Sequence, residues 1–159
     1  MSKNRVLFVC AGPGVRARLA EAFLSQFEDF EVKSAQFEDI EGKVPAFIQG
    51  LMEEISTDLQ IAFPKSVFER HLKKEAFDFV ITLCHASAKV VCPVFRTNVD
   101  ILYGKEAERL SWAIPDFRSL MAIPPDQRMD KAREIRDSIK LEVLTFVKMI
   151  KDRALVIKS

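Results

Sequence analysis

The opening of the chain constrains the fold most, because an apolar run, a tight glycine turn and an amphipathic helix pattern follow one another directly. Residues 5–10 have the sequence Arg-Val-Leu-Phe-Val-Cys and are followed by Ala-Gly-Pro-Gly at 11–14. Such a run is typical of a strand buried on both faces. From Val15 to Phe27 apolar residues recur every three or four positions, which predicts a helix. This order predicts the first unit of a parallel α/β sheet.

The rest of the chain continues to alternate between the two patterns. Further strands are predicted over residues 30–35, 77–84 and 110–114, and further helices over 44–55, 66–74 and from Pro125 to near the C-terminus. Residues 93–104 show no clear period. Because right-handed crossovers join successive parallel strands, the pattern predicts a four-stranded parallel sheet with helices on both faces. A chain of 159 residues without a repeat or linker fits one domain over residues 1–159.

Composition and charge exclude several classes of partner. The 24 basic and 23 acidic residues nearly balance, so no global field would recruit nucleic acid or an anionic membrane. No apolar run reaches transmembrane length, and residues 6–10 are too short for a signal peptide. Three cysteines in such a chain favour reduced thiols over structural disulfides. We therefore expect a cytoplasmic protein without a nucleic-acid or membrane partner.

The sharpest chemical feature is the pair Cys10 and Arg16, separated by five residues at the strand-to-helix turn. A turn of this length can curl its backbone N–H groups around a tetrahedral anion, while the helix N-terminus adds positive charge and the guanidinium grips the anion. The same field is expected to lower the pKa of Cys10, which makes its thiolate the nucleophile. The predicted oxyanion-binding residues are Ala11, Gly12, Gly14, Val15 and Arg16.

The predicted occupant of this turn is an inorganic oxyanion rather than a resident cofactor. We expect a tetrahedral oxyanion such as phosphate or sulfate there and no tightly bound cofactor. Zinc is disfavoured, because His71, His85 and the cysteines show no ligand spacing. The simpler alternative is that Cys10 is a small buried residue at a strand end and that Arg16 is a solvated side chain.

Two further polar residues, Cys84 and Asp116, also follow predicted strands. Since ligands bind beyond the carboxyl ends of parallel strands, we expect both residues to share one rim with Cys10. Each has a simpler alternative: Cys84 packs as a core residue, and Asp116 forms a turn or caps a helix. Cys92 precedes Pro93 in a predicted loop, and its separation from Cys84 suits a flexible redox pair.

Residues 6–23, with the sequence Val-Leu-Phe-Val-Cys-Ala-Gly-Pro-Gly-Val-Arg-Ala-Arg-Leu-Ala-Glu-Ala-Phe, resemble the signature of the low-molecular-weight protein tyrosine phosphatase superfamily. Within that superfamily, residues 80–84 and the Cys-Pro-Val sequence at 92–94 resemble the arsenate reductase branch, which has a second and a third cysteine at about this place. Residues 112–116 are similar to the loop that carries the family's general-acid aspartate. The resemblance covers most of the chain and implies the flavodoxin-like strand order of phosphotyrosine protein phosphatase I-like folds.

The resemblance also implies a mechanism and a partner. Cys10 would attack arsenate or a phosphoryl group held by the loop and Arg16, while Asp116 protonates the leaving oxygen. In an arsenate reductase, Cys84 then attacks Cys10, arsenite leaves, and Cys92 resolves the disulfide into a Cys84–Cys92 pair that thioredoxin or a similar thiol reductant reduces. In a phosphatase, water hydrolyses a phosphocysteine and neither later cysteine is essential.

The chain departs from the family loop at Pro13, Gly14 and Ala17, where relatives usually carry asparagine, serine and serine. Proline cannot adopt a left-handed conformation, and Gly14 is expected to take over the unusual dihedral. Ala17 lacks the hydroxyl that in relatives bonds the thiolate, so a less acidic cysteine is expected. Phe117 replaces the proline that usually follows the aspartate.

Arsenate reduction is the leading functional hypothesis, because of the two additional cysteines. A phosphatase-like hydrolase is the first alternative, and a catalytically impaired relative that binds an oxyanion or a partner protein is the second. A third is a phosphocarrier of the cysteine-phosphorylated sugar-transport type, which does not require Arg16.

Overall fold

The computed structural model describes residues 3–10, 15–36, 46–55, 65–66, 74–84 and 99–158. In chain order the elements are β1 (Asn4–Cys10), α1 (Val15–Leu24), β2 (Phe30–Gln36), α2 (Ala46–Ile55), β3 (Lys65–Ser66), β4 (Phe79–Leu83), β5 (Glu108–Trp112), a 3-10 helix (Phe117–Ala122) and α3 (Pro125–Lys158). A short helical segment at residues 99–103 lies between β4 and β5. Strands and helices alternate along the chain, as the sequence predicts.

The described strands form one parallel sheet in the order β3-β2-β1-β4-β5. Its four longer strands follow the order β2-β1-β4-β5, which confirms the predicted four-stranded sheet and its flavodoxin-like order. The two-residue β3 pairs with the end of β2 and was not predicted. Within the central strands, Cys10 lies opposite Gln36 on one side and Leu83 on the other. The carboxyl ends of these strands therefore meet at one edge, where ligands of parallel sheets bind.

Two segments differ from the sequence interpretation. The helix predicted over residues 66–74 begins at a residue that the structure assigns to β3, and residues 67–73 lie outside the described residues. Residues 99–103 are helical although residues 93–104 show no period. Within its described residues, Val99 and Tyr103 are buried and Leu102 packs against the same cluster.

The sheet separates two apolar clusters. On one face, Val6 and Phe8 of β1 pack with α1, α2 and α3. On the other face, Leu7 and Val9 pack with Val99 of the short helical segment. Because neighbouring side chains of β1 point to opposite faces and both faces are covered, its continuous apolar run is accounted for.

Helix α3 contributes Phe146 to an aromatic cluster in the core. The ring of Phe146 lies 5.2 Å from that of Phe79, 5.7 Å from that of Phe30 and 6.4 Å from that of Trp112, measured between centroids. Trp112 in turn packs at 5.4 Å against Phe8 of the central strand. This cluster fixes the end of β5, and the loop that follows β5 carries Asp116 towards the rim. No helix of the described residues is long and apolar enough to span a bilayer.

Candidate functional site

Cys10 is the last residue of β1, and its side chain is fully buried at the carboxyl edge of the sheet. Its Sγ accepts a hydrogen bond from the backbone N–H of Ala17 at 3.4 Å. Residues 11–14 lie outside the described residues, and with them the predicted ligands Ala11, Gly12 and Gly14. Val15 and Arg16 form the buried first turn of α1. The first turn of α1 therefore faces the sulfur with backbone N–H groups even though Ala17 has no hydroxyl.

Burial raises the pKa of the Cys10 thiol above that of an ordinary cysteine. The positive charge of Arg16 and the hydrogen bond from Ala17 lower it in part, and the negative charge of Asp116 raises it. The predicted low pKa of Cys10 is therefore wrong for this structure, because the cost of desolvating a buried thiolate outweighs the nearby positive charge. The less acidic cysteine expected from Ala17 agrees in direction, although burial is the larger cause.

Arg16 is turned inward, with only 4% of its surface exposed, so the alternative of a solvated side chain is wrong. Its Nη1 donates to the backbone carbonyl of Ile114 at 2.9 Å, and its Nη2 lies 3.5 Å from Oδ2 of Asp116. Both partners belong to the loop after β5. The guanidinium thus joins the first turn of α1 to the loop at the far side of the sheet.

Asp116 caps the 3-10 helix, which agrees with the alternative prediction that it forms a turn or caps a helix. Its Oδ1 accepts from the backbone N–H of Arg118 at 2.9 Å, and its Oδ2 accepts from Nε and Nη2 of the same arginine at 2.9 and 2.7 Å. Burial raises the pKa of this carboxyl, but the hydrogen bonds from Arg118 and the charge of Arg16 outweigh burial, so the pKa lies below its ordinary value. Asp116 is therefore an ionised carboxylate at neutral pH.

Cys84 follows β4, and its backbone N–H donates to the carbonyl of Trp112 at 2.9 Å. Its side chain is buried in the cluster with Leu7 and Val9, on the opposite face of the sheet from Cys10. Cys10 is a free thiol, whereas Cys84 is disulfide-bonded, so the expectation of reduced thiols is wrong for Cys84. Cys92 lies outside the described residues. The structure therefore brings Cys10, Arg16 and Asp116 together and places Cys84 at the same edge but on the other face.

Sequence reasoning missed Arg118 and the carbonyl of Ile114. The signal for Arg118 is local, because an aspartate before a short helix takes its hydrogen bonds from the residues that follow it. The carbonyl of Ile114 carries no sequence signal, since every residue has one. Among the described residues, no group of three histidine, cysteine or acidic side chains is placed to hold a metal ion.

The site combines the charges of Arg16 and Asp116 with a buried cysteine on a flavodoxin-like sheet. Known proteins resemble this chain both in sequence and in fold. The chain is 28% identical over 148 residues to an arsenate reductase of Staphylococcus xylosus, covering 92% of this chain and 98% of that protein. Its fold is similar to the YwlE arginine phosphatase of Geobacillus stearothermophilus, with a TM-score of 0.62, 17% identity and 96% of each chain covered. It is also similar to a thioredoxin-dependent arsenate reductase of Corynebacterium glutamicum, with a TM-score of 0.60, 22% identity and coverage of 94% of this chain and 63% of that one. A family model matches residues 5–154, and the chain belongs to the low molecular weight phosphotyrosine protein phosphatase family.

Proposed function

We propose that this protein is an arsenate reductase that uses Cys10 as its first nucleophile and a thiol reductant such as thioredoxin as its electron source. The observation that carries the proposal is that Cys10, Arg16 and Asp116 meet at one rim while a second cysteine, Cys84, ends the neighbouring strand. The relatives named arsenate reductase, which match over nearly their whole length, support this choice within the family.

In the proposed first step the sulfur of Cys10 attacks arsenate held at the start of α1. An S–As bond forms, and one oxygen of arsenate leaves as water after protonation. Arg16 is already at the rim and exchanges its contact with Asp116 for the anion, because a charged oxyanion is the stronger acceptor. The positive charge of Arg16 stabilises the Cys10 thiolate in part, although burial remains the larger effect on the pKa of Cys10.

The structure holds Cys84 in a disulfide, which a dithiol must first reduce. In the second step the resulting thiolate of Cys84 attacks the sulfur of Cys10. A Cys10–Cys84 disulfide forms, the S–As bond breaks with its electron pair on arsenic, and arsenic(V) leaves as arsenite. Cys92 then attacks Cys84, which frees Cys10 and leaves a Cys84–Cys92 disulfide for the external dithiol to reduce. Because Cys84 lies on the opposite face, the segment after β4 must rearrange before this attack.

Competing ligands, the cofactor requirement and the location of the reaction also follow from this proposal. Phosphate and sulfate are expected to compete with arsenate for the loop, since they share its tetrahedral shape and charge. No tightly bound cofactor is required, because the electrons come from thiols. We place the reaction in the cytoplasm, where thioredoxin-type reductants keep dithiols reduced.

The proposal is tested by arsenate-dependent oxidation of NADPH in the presence of thioredoxin and thioredoxin reductase. We expect turnover by the wild type and none by Cys10→Ser or Cys84→Ser. Cys92→Ser should release one arsenite per chain and then stop with a Cys10–Cys84 disulfide, which mass spectrometry detects. Thr145→Val, an exposed change on α3 far from the rim, is the matched control. Arsenate turnover that survives Cys84→Ser would refute the relay.

A phosphatase is the second candidate, and the description of the matched family favours it. Hydrolysis of an aryl phosphate requires Cys10 but neither later cysteine. Hydrolysis that is lost in Cys10→Ser and unchanged in Cys84→Ser, without arsenate turnover, would establish this function instead. Phosphate binding without either activity would identify a catalytically impaired relative.

A further inference from the structure

The carboxylate of Asp116 is surrounded by hydrogen-bond donors. Its Oδ1 receives the backbone N–H of Arg118 at 2.9 Å. Its Oδ2 receives Nε and Nη2 of Arg118 at 2.9 and 2.7 Å and faces Nη2 of Arg16 at 3.5 Å. Both oxygens therefore act as acceptors, and a proton placed on either one would point at a donor.

The two arginines contribute unequally to this arrangement. The Arg16 contact is at the outer limit of a hydrogen bond, and the shorter contact of Arg16 is to the backbone carbonyl of Ile114 at 2.9 Å. Arg118 makes three shorter bonds to the same carboxylate. The orientation of Asp116 is consequently set by Arg118, the residue two positions further along the chain.

This arrangement opposes the role of Asp116 as a proton donor. A general acid must carry its proton when the leaving group departs, and it works best with a pKa near the operating pH. Burial favours the protonated carboxyl, yet the Arg118 hydrogen bonds and the Arg16 charge hold its pKa below the ordinary value. The state that the structure records is therefore a helix cap rather than an acid ready to donate.

We propose that Arg118 is a positioning residue that holds Asp116 as an ionised cap, so that Asp116 donates a proton only when the contact between the two side chains opens. The inference rests on the proposed function for the reaction that uses the proton. The contact itself is independent of that reaction. The side chain of Arg118 is 55% exposed, so its release from Asp116 requires no opening of the core.

Among the described residues, the charged and titratable groups around Asp116 come from three elements. Arg16 faces it from α1, Arg118 from the 3-10 helix, and the Cys10 thiol lies near it at the end of β1. Arg128 of α3 holds the same 3-10 helix differently: its side chain donates to the carbonyls of Leu120, Met121 and Ile123 rather than to a carboxylate. Substitution of Arg128 therefore serves as a control, because it disturbs this helix but leaves the contact between Arg118 and Asp116 in place.

The decisive experiment is a carbon-13 NMR titration of the Asp116 carboxyl in the unliganded protein. In Arg118→Gln we expect the titration midpoint to rise by about one pH unit, because removal of an adjacent opposite charge shifts a carboxyl by this order. Arg118→Lys keeps the charge but loses the planar fork, so its midpoint should lie between the two. Arg128→Gln should titrate like the wild type. A midpoint unchanged in Arg118→Gln, or raised equally in Arg128→Gln, would overturn the proposal.

A second measurement connects the contact to catalysis. When Asp116 acts as the acid, the rate falls as pH rises through its pKa, so a higher pKa in Arg118→Gln moves this alkaline limb of the kcat profile to higher pH. If Arg118 had only a structural role, Arg118→Gln would lower kcat without shifting the alkaline limb of the profile. That result would also count against the proposal. The NMR titration requires no turnover, so failure of the arsenate assay leaves the test of Arg118 intact.

Discussion

At the scale of single residues, burial and charge act in opposite directions on the sulfur of Cys10. Burial in the end of β1 disfavours the thiolate, whereas Arg16 and the N–H of Ala17 favour it. Burial is the larger effect, so the unliganded protein holds a neutral thiol at neutral pH. The thiol therefore has to lose its proton before it attacks, since the thiolate is the nucleophile.

The rate of alkylation of Cys10 by iodoacetamide should consequently rise with pH and then level off. The midpoint of this rise should lie above the value of about 8.5 for free cysteine. Arg16→Gln should move the midpoint higher, because it removes the charge that lowers the pKa. Arg18→Gln removes a charge from the same helix that does not act on Cys10, and serves as the control. Mass spectrometry of the Cys10 peptide gives the rate, and a midpoint below that of free cysteine would contradict the prediction.

At the scale of elements, α3 packs against the sheet through several buried side chains, and Phe146 makes the aromatic contacts. Phe146 contacts rings from β2, β4 and β5, that is, from three of the four longer strands. Leu141, five residues earlier on the same helix, is 66% exposed. Alanine substitutions at these two residues distinguish the contribution of packing to the free energy of unfolding from the contribution of helix formation.

Phe146→Ala should lower the free energy of unfolding by about 3–5 kcal/mol, because it removes a buried ring and leaves a cavity. Leu141→Ala should change it by less than about 0.5 kcal/mol, since it exposes no new core. Urea denaturation followed by circular dichroism measures both variants. Equal losses in the two would show that the ring cluster does not stabilise the sheet.

The elements also show how far the sequence predicts this molecule. The strand at 5–10 and the helix after it follow from hydrophobic period alone, because both are long enough to repeat it. The two-residue β3 is too short to carry a period, and the described residues at 99–103 cover little more than one helical turn. The site residues Cys10, Arg16 and Asp116 are predictable from strand ends and spacing. The raised pKa of Cys10 is not, because it depends on burial by residues distant in the chain.

At the scale of the whole molecule, the rim joins segments that are far apart in sequence. Arg16 of α1 contacts Ile114 and Asp116, about one hundred positions later. An anion bound between α1 and this loop would contact the helix that follows the central strand β1 and the loop that follows the edge strand β5. Its binding energy is then added to the stability of the fold as a whole.

Phosphate should therefore raise the midpoint of thermal unfolding of the wild type in proportion to the logarithm of its concentration. The expected gain in the free energy of unfolding is about 2.7 kcal/mol at one hundred times the dissociation constant. Sodium chloride at equal ionic strength is the control for screening. Arg16→Gln should lose most of the gain, and an equal rise in chloride would indicate a general salt effect without a site.

The placement of Cys10 and Cys84 on opposite faces of the sheet has one more consequence. The oxidised sulfur is kept away from the first nucleophile, which stays a free thiol while Cys84 is bonded elsewhere. On the proposed function, a molecule with oxidised Cys84 would still bind an oxyanion beside Cys10 and Arg16, yet it could not complete the reaction. A population starved of electrons would then store oxyanion instead of converting it, and the electron supply would decide which of these two tasks the protein performs.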